Sequence, residues 1–312
     1  MKARVRLTSV HLTAIGLLAL AAAIPARADS IVAWGDDTFG HVKNAPKGND
    51  FVAIVGDDMN GYALRPDGSI AAWGDNKAGL VSNAPKETGF TAVAGAGFAA
   101  FALRADGSIV AWGSDKYGHV TKAPKGTGFT AIAGCVFAGY ALRFDGSIAA
   151  WGDDGHGHVT KVPKGTGFTA IVGDGLNGYA LRADGSIVAW GNDSVGQITN
   201  APKETGFTAI AAGGVAAFAL RADGSIVAWG NDKVGLVSNA PKGTGFTAIA
   251  GRGHTGYALR SDGSIAVWGN DHFGQVTNAP KGTGFTAVAG AAAASFALRS
   301  SEPAARRRER TR

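Results

Sequence analysis

The tryptophans of this chain recur at one fixed interval. Each lies 39 residues after the one before it, and the seven are Trp34, Trp73, Trp112, Trp151, Trp190, Trp229 and Trp268. A constant period of this length is typical of repeat architectures, in which each unit buries its apolar face against neighbouring units. The period therefore restricts the possible folds more than any other feature of the sequence.

The clearest part of the repeat lies between Gly178 and Gly191, where the sequence is GYALRADGSIVAWG. Two short runs of apolar, β-branched and aromatic residues flank an Asp-Gly dipeptide, a pattern that predicts a β-hairpin. Both runs are apolar at successive positions, so we expect each strand to be covered on both faces. A blade stacked between two other blades has strands of this kind.

Two further runs complete the repeat as a four-stranded unit. In one copy the predicted strands are Phe207–Gly213, Ala217–Arg221, Ser225–Gly230 and Leu236–Ala240. Seven units of 39 residues with short links predict an all-β fold, a seven-bladed β-propeller.

The two ends of the repeat region fit a closed ring. The first repeat opens on a third strand and the last one finishes on a second strand. The closing blade is predicted to pair Phe285–Gly290 and Ser295–Arg299 with Ser30–Gly35 and His41–Ala45. Because closure removes exposed strand edges, and because the sequence has no capping repeats, we predict one closed domain over residues 29–300.

The first 28 residues have the pattern of a secretory signal. Basic residues precede an apolar core at Leu12–Ile24, and Ala26-Arg27-Ala28 supplies a small-x-small cleavage site. This core is short for a bilayer span, so we expect no transmembrane segment after signal removal. The prediction is a bacterial Sec-type signal peptide cleaved after Ala28, and a secreted or periplasmic protein.

The net charge of +6 arises at the two termini. From residue 29 to residue 301 there are 21 Lys and Arg against 22 Asp and Glu, so the propeller body is nearly neutral. This balance gives no argument for nucleic acid binding through the body. Residues 301–312 carry five arginines and are expected to form a disordered, solvated tail.

The repeats differ from one another mainly in two sets of loops. The first loop set, between the first and second strands, comprises residues 57–60, 96–99, 135–138, 174–177, 213–216, 252–255 and 291–294. The second loop set follows each Trp-Gly and comprises residues 36–39, 75–78, 114–117, 153–156, 192–195, 231–234 and 270–273. In a meander both sets fall at one end of the ring, here called the variable end.

The other links, Asp-Gly-Ser and Asn-Ala-Pro-Lys in most copies, form the constant end. Loops that a rigid scaffold holds in place often carry binding residues, so we predict that the variable end binds a partner. Drift among duplicated repeats is the alternative explanation of the differences.

No group of residues has the pattern of a catalytic or metal site. The histidines show no zinc-type spacing, and the Asp-rich turns lack the spaced ligands of a calcium loop. These Asp and Asn residues are expected to cap their own turns. Cys135 is the only cysteine, which excludes an intrachain disulfide. We therefore predict that the protein is not an enzyme and binds no metal or cofactor.

The segment Ala180–Pro202, ALRADGSIVAWGNDSVGQITNAP, resembles the regulator of chromosome condensation repeat in its Ala-Leu, Asp-Gly, Trp-Gly and Gly-Gln pairs. The layout is most similar to that of the secreted bacterial propeller-type β-lactamase inhibitory proteins within that family. The resemblance implies a seven-bladed propeller. It also implies that one end of the ring grips an enzyme through aromatic residues between the first two strands and acidic residues after Trp-Gly.

Candidate partner-binding residues follow from the repeat positions. The first loop set contributes Met59, Phe98, Phe137, Leu176, Val215 and His254. The second loop set contributes Phe39, Tyr117, His156, Phe273, Asp36 and Asp153. We predict a monomeric, exported protein-binding module, with inhibition of a secreted or periplasmic enzyme such as a β-lactamase as one form of this role. The alternatives are a carbohydrate-binding or surface structural propeller and a GTPase-regulator-like propeller.

Overall fold

The computed structural model describes residues 29–301, which form a ring of seven three-stranded antiparallel sheets. The predicted signal peptide and almost all of the predicted tail lie outside the described residues. Blade one comprises residues 53–74, and the blades follow the chain to blade six, residues 246–269. Blade seven joins residues 285–300 to residues 29–35. The predicted seven-bladed propeller is confirmed.

The first strand of each blade lies nearest the ring axis, because it contacts the first strands of both neighbouring blades. Glycines near the ends of these strands permit the close approach. A Cβ on Gly56, for example, would lie 2.2 Å from the carbonyl oxygen of Gly290. The first strands are Ala53–Gly56 (β2), Phe90–Gly95 (β5), Phe129–Gly134 (β8), Phe168–Asp174 (β11), Phe207–Ala212 (β14), Phe246–Arg252 (β17) and Phe285–Gly290 (β20).

The second strand is the middle strand of each sheet and is buried almost throughout. Blades pack on both of its faces, which confirms the prediction made from its unbroken apolar run. These strands are Asn60–Leu64 (β3), Ala99–Arg104 (β6), Ala138–Arg143 (β9), Asn177–Arg182 (β12), Ala216–Arg221 (β15), Thr255–Arg260 (β18) and Ala294–Ser300 (β21).

The third strand forms the outer edge of each sheet, and only its tryptophan is consistently buried. The prediction that this strand is covered on both faces is confirmed at partial burial: in blade two, Ile109 and Ala111 pack against one core cluster and Val110 packs against another. These strands are Asp29–Gly35 (β1), Ile70–Gly74 (β4), Ile109–Gly113 (β7), Ile148–Gly152 (β10), Ile187–Gly191 (β13), Ile226–Gly230 (β16) and Ile265–Gly269 (β19).

The predicted fourth strand is wrong. The segments His41–Ala45 and Leu236–Ala240 form turns, in which Asn44 N donates to the Gly40 carbonyl and Asn239 N donates to that of Gly235. These hydrogen bonds lie within the segment, so its N–H groups do not pair with the neighbouring third strand. Short-range bonding of this kind competes with a sheet ladder.

Ring closure occurs in blade seven, as predicted. Strand β1 pairs antiparallel with β21 from Asp29 opposite Ser300 to Gly35 opposite Ala294, and β21 pairs with β20. This blade therefore joins the two ends of the described chain. The first and last strands of the repeats therefore belong to the same sheet, and the ring is closed there.

The recurring tryptophans connect neighbouring blades. The indole N–H of Trp112 donates to the carbonyl oxygen of Leu80 in the preceding blade, at 3.0 Å. At the seam, Trp34 donates to Gln275 of blade six at 2.8 Å. Four further tryptophans make the same bond, whereas the indole N–H of Trp190 has no such partner among the described residues. The period of the tryptophans is thus the period of blade-to-blade contacts.

Within residues 29–301, no helix is long and apolar enough to cross a membrane.

Candidate functional site

The two loop sets meet at one end of the ring, as the sequence predicts. In each blade, the residue after Trp-Gly donates its N–H to the third residue of the first loop set. Ser114 N donates to the Phe98 carbonyl and Asp153 N to that of Phe137, both at 2.8 Å. Gly113 makes the approach possible, because it has φ of 101° and a Cβ there would lie 2.7 Å from the Phe98 carbonyl oxygen.

The second loop set is fixed by side chains that cap its own turn, which the sequence also predicts. In blade two, Asp115 Oδ1 accepts the N–H groups of Val120 and Thr121 at 2.8 and 2.9 Å. The same position in the other blades is Asp37, Asn76, Asp154, Asp193, Asp232 and Asp271. Hydrogen bonds donated within the turns lower the pKa of these aspartates. The capping carboxylates therefore stay ionised well below neutral pH.

Four of the predicted residues form one continuous row of rings, here called the aromatic strip: Phe98, Tyr117, Phe137 and His156. Phe98 and Tyr117 have ring centroids 6.4 Å apart, and Tyr117 and Phe137 meet edge to face at 4.9 Å. Phe137 lies 6.3 Å from His156. The strip crosses blades two and three, and it joins residues that are 58 positions apart in the chain.

The strip faces solvent and adjoins a groove. Phe98 is 42% exposed and His156 is exposed, while Tyr117 and Phe137 are half-buried between their neighbours. Beside His156, an open groove of about 620 Å³ separates the second-set loops of blades three and four. Asn192 forms its far wall and places its Nδ2 3.4 Å from His156 Nδ1.

The other predicted residues lie at the same end but outside the strip. Phe39 has the Lys77 ammonium 5.7 Å from its ring centre, and Phe273, which is 43% exposed, packs edge to face on His272 at 4.7 Å. No ring contact within residues 29–301 joins Phe39 or Phe273 to the strip. The remaining members are half-buried or exposed on separate blades: Met59, Leu176, Val215, His254, Asp36 and Asp153.

Three histidines lie directly beneath aromatic residues of the second loop set. The pairs are Phe39 over His41, Tyr117 over His119 and His156 over His158, with ring centroids 5.6–6.0 Å apart. The lower histidines are completely shielded from solvent, and burial lowers the pKa of each imidazole. These histidines therefore support the loops above them from inside the ring.

Sequence reasoning missed a charged cluster on the ring axis. Arg252, which is 6% exposed, extends from blade six and donates its Nε to Asp58 of blade one at 3.0 Å. The ion pair passes over blade seven, whose loop 291–294 consists of alanines. The buried carboxyls of Asp57 and Asp174 face the same guanidinium from blades one and four. We call these four residues the axial cluster.

Burial dominates the titration of the axial cluster. It raises the pKa of the Asp57 carboxyl to about 7, although Arg252 and the hydrogen bonds from Met59 N and Tyr62 Oη oppose the change. The pKa of Asp174 is also raised to about 7 by burial, against Arg252. The sequence signal that could have drawn attention to Arg252 is that it stands alone among small and acidic residues at its repeat position.

Two features bear on reactive chemistry among the described residues, the grouping of possible metal ligands and the state of the one cysteine. No three His, Cys, Asp or Glu side chains within residues 29–301 group as metal ligands would. Cys135 is buried, and burial raises the pKa of its thiol to about 11, so it remains protonated at neutral pH.

Comparison with known proteins gives structural neighbours only. No protein-family model matches the sequence, and no curated protein matches it. Yeast RCC1 (Prp20), in its crystal structure bound to Kap60, superposes with a TM-score of 0.74 at 16% identity, covering 99% of each chain. A second structure of Prp20p from Saccharomyces cerevisiae gives 0.71 at 16% identity, over 92% of this chain and 96% of that chain.

Human WBSCR16 superposes with a TM-score of 0.69 at 16% identity, over 88% of this chain and 99% of that chain. At these identities the likeness shows the fold alone. The predicted resemblance to the regulator of chromosome condensation propellers is thus confirmed for the fold. The closer likeness to β-lactamase inhibitory proteins remains a prediction.

Proposed function

We propose that this protein is an exported binding module that recognises another protein through the variable end of its propeller. The observation that carries the proposal is the aromatic strip. Its four rings come from two blades and four loops, yet they form one surface that includes Phe98, one of the few large apolar side chains left exposed. Contiguous exposed apolar surface on a rigid scaffold is typical of a protein interface.

The strip has the physical properties of an interface centre. Aromatic side chains bury a large area and lose little conformational entropy when they are already packed. Here each ring rests on its neighbour, and the loops beneath are held by backbone hydrogen bonds and by the capping aspartates. A partner therefore meets a preorganised surface, which lowers the entropic cost of association.

Structural neighbours provide support at the level of the fold. The yeast propeller is described in complex with Kap60, and its binding to Gsp1p and histones has been characterised. A seven-bladed ring of this kind can thus present a protein-binding surface. Export of the present chain, and the choice of a secreted or periplasmic enzyme such as a β-lactamase as the target, are proposals that rest on the sequence.

The first experiment is an inhibition assay on a panel of class A β-lactamases with a chromogenic substrate. Inhibition at nanomolar concentration is expected from the wild-type chain and from Phe144→Ala. Phe144 is 91% exposed at the constant end and serves as a matched control. Phe137→Ala removes the central ring of the strip and should raise the inhibition constant about 30-fold, as interface hot spots do.

The variants separate the outcomes of this assay. Equal weakening by Phe137→Ala and Phe144→Ala would contradict the placement of the interface at the variable end. Inhibition by neither wild type nor variant would remove β-lactamases as targets. Circular dichroism of each variant confirms that the propeller is still folded.

A further inference from the structure

Charged residues separate along the axis of the ring. The two loop sets of the variable end contain twelve aspartates and only four basic residues, Lys77, Lys116, Lys233 and Arg252. The rest of residues 29–301 contains seventeen basic residues against ten acidic ones. Fourteen of these basic residues lie at the constant end, and Lys43, Lys122 and Lys161 lie in the turns that follow the second loop set. A nearly neutral body thus has one acidic and one basic end. The loops that hold the strip have a formal excess of eight negative charges, two of which belong to the buried Asp57 and Asp174, whose pKa values are raised to about 7.

Half of the aspartates at the variable end keep their negative charge well below neutral pH. Six of the aspartates are the capping residues, whose pKa values are lowered by the hydrogen bonds they accept. Asp36, Asp75 and Asp153 each accept one N–H of the turn that follows and remain half-exposed. Within residues 29–301, none of these three aspartates forms an ion pair with a Lys or Arg side chain.

The acidic groups border the aromatic strip. Asp153 and Asp154 belong to the loop that carries His156, and Asp115 precedes Tyr117 by two residues. Three lysines lie nearby: the Lys116 ammonium is 5.3 Å from the Tyr117 ring centre, Lys122 donates its ammonium to the Gly152 carbonyl, and Lys161 lines the groove beside His156. A protein that covers the strip must therefore bring its own charges close to these carboxylates. An acidic surface would be repelled, because unpaired like charges across an interface cost several kcal/mol.

The geometry points to a partner whose apolar anchor is surrounded by basic side chains. This inference rests on the proposed function and specifies the chemistry of the partner at the same surface. Complementary charge would steer the encounter and orient the two proteins, and salt would slow association.

The scaffold itself supplies the substitutions for a test. Asn192, Asn231 and Asn270 occupy the repeat position of Asp36, Asp75 and Asp153, and each accepts the same turn N–H. The triple variant Asp36→Asn/Asp75→Asn/Asp153→Asn therefore removes three charges and keeps the turns. A matched control makes the same change of charge at the constant end.

That control is Asp106→Asn/Asp184→Asn/Asp223→Asn, in hairpins where each carboxylate accepts one turn N–H. Asn-Gly is as suitable as Asp-Gly for such hairpin turns. The two triple variants thus have equal net charge, and they differ in which end of the ring has lost its carboxylates.

The probe is a library of random phage-displayed peptides selected on the immobilised full chain. Clones that lose binding to Phe137→Ala are taken as strip-dependent. We expect these clones to have a net positive charge together with aromatic or aliphatic residues. At low salt, the variable-end triple variant should bind them about tenfold more weakly, and the constant-end control should change binding less than about twofold.

The outcomes separate the two proposals. Strip-dependent clones that are neutral or acidic, or that bind both triple variants equally, would overturn the inference about charge and leave the binding surface in place. A selection that yields no strip-dependent clone would overturn the proposed function itself, and the inference with it.

Discussion

The two ends of this propeller are built from the same repeats but use them differently. At the constant end, the links have nearly the same sequence in every blade, and their side chains pair within the blade. Arg104, for instance, lies 5.2 Å from the Phe90 ring centre and bonds to Glu87 at 2.7 Å. At the variable end, backbone hydrogen bonds and capping residues repeat, while the side chains between them differ from blade to blade.

This difference shows how the repeat separates fold from recognition. The positions that hold the ring together are backbone groups, the Trp-Gly pair and the turn caps, all of which recur with the period. Recognition residues occupy the positions that these bonds leave free. A change at the variable end can therefore alter a partner surface without disturbing the ring.

The largest difference in stability between the two ends is expected when one arginine at each end is replaced by an uncharged residue. Arg252→Met leaves Asp57, Asp58 and Asp174 without their buried countercharge, which should lower the free energy of unfolding by about 3 kcal/mol or more. Arg104→Met breaks an exposed pair and one ring contact, so it should cost about 1 kcal/mol or less. Chemical denaturation of both variants measures the contrast, and equal losses would contradict a buried, stabilising role for Arg252.

The second prediction concerns pH and the buried histidines. The folded-state pKa of His158 lies below the usual 6.5, so below pH 6.5 the unfolded chain takes up a proton that the folded chain excludes. Stability from this group is present at neutral pH and is lost as the pH falls from 6.5 towards the lower folded-state pKa. His158→Gln should remove that loss, because Gln197 already fills the same repeat position and bonds to the next blade.

Asp57 and Asp174 change the stability of the fold with pH in the opposite direction to the histidines. Their pKa values of about 7 mean that the folded chain binds protons between pH 3.8 and pH 7 that the unfolded chain releases, so these groups favour folding as the pH falls through 7. Thermal melts of wild type and His158→Gln at matched pH isolate the histidine contribution. If the difference in Tm between wild type and His158→Gln is the same at every pH, the predicted histidine contribution is contradicted.

A smaller contrast is expected between the two kinds of aspartate turn. Asp115→Ala removes two bonds to backbone N–H groups at the variable end, whereas Asp106→Ala removes one at the constant end. We expect losses of about 1–2 and about 0.5–1 kcal/mol, respectively. Urea denaturation gives both values, and a larger loss for Asp106→Ala would reverse the order that the bonds indicate.

The smallest effect is expected from removing the Arg-rich segment after Ser301. The strand that precedes it ends opposite Asp29, at the constant end of the ring. Truncation should therefore leave binding to the strip-dependent peptides unchanged, as measured by biolayer interferometry. Lost binding would show that recognition is not confined to the variable end.

Much of the fold could be predicted because its determinants are local and periodic. The Asp-Gly hairpin, the number of blades and the pairing of β1 with β21 follow from patterns in short segments. The fourth strand could not be predicted correctly, because an apolar run such as Leu236–Ala240 is compatible with either a strand or a capped turn. The choice depends on Asp232, which accepts two of the N–H groups of that segment.

The candidate site was partly predictable for the same reason. The repeat position placed Phe98, Tyr117, Phe137 and His156 at one end, but only the ring geometry shows that blades two and three bring them into one row. The axial cluster was missed because Arg252 and Asp58 are separated by 194 residues and by an entire blade. Patterns within one repeat cannot show that two residues from different blades make contact across the axis of the ring.

The most direct test of the account is site-specific photo-crosslinking of the chain to the exported proteins of its source organism. A photoreactive phenylalanine analogue is placed at position 137 in one preparation and at position 144 in another, and the products are identified by mass spectrometry. Recognition through the variable end predicts a defined crosslinked protein from position 137 and none from position 144. Crosslinks from position 144 with none from position 137 would contradict recognition through the variable end.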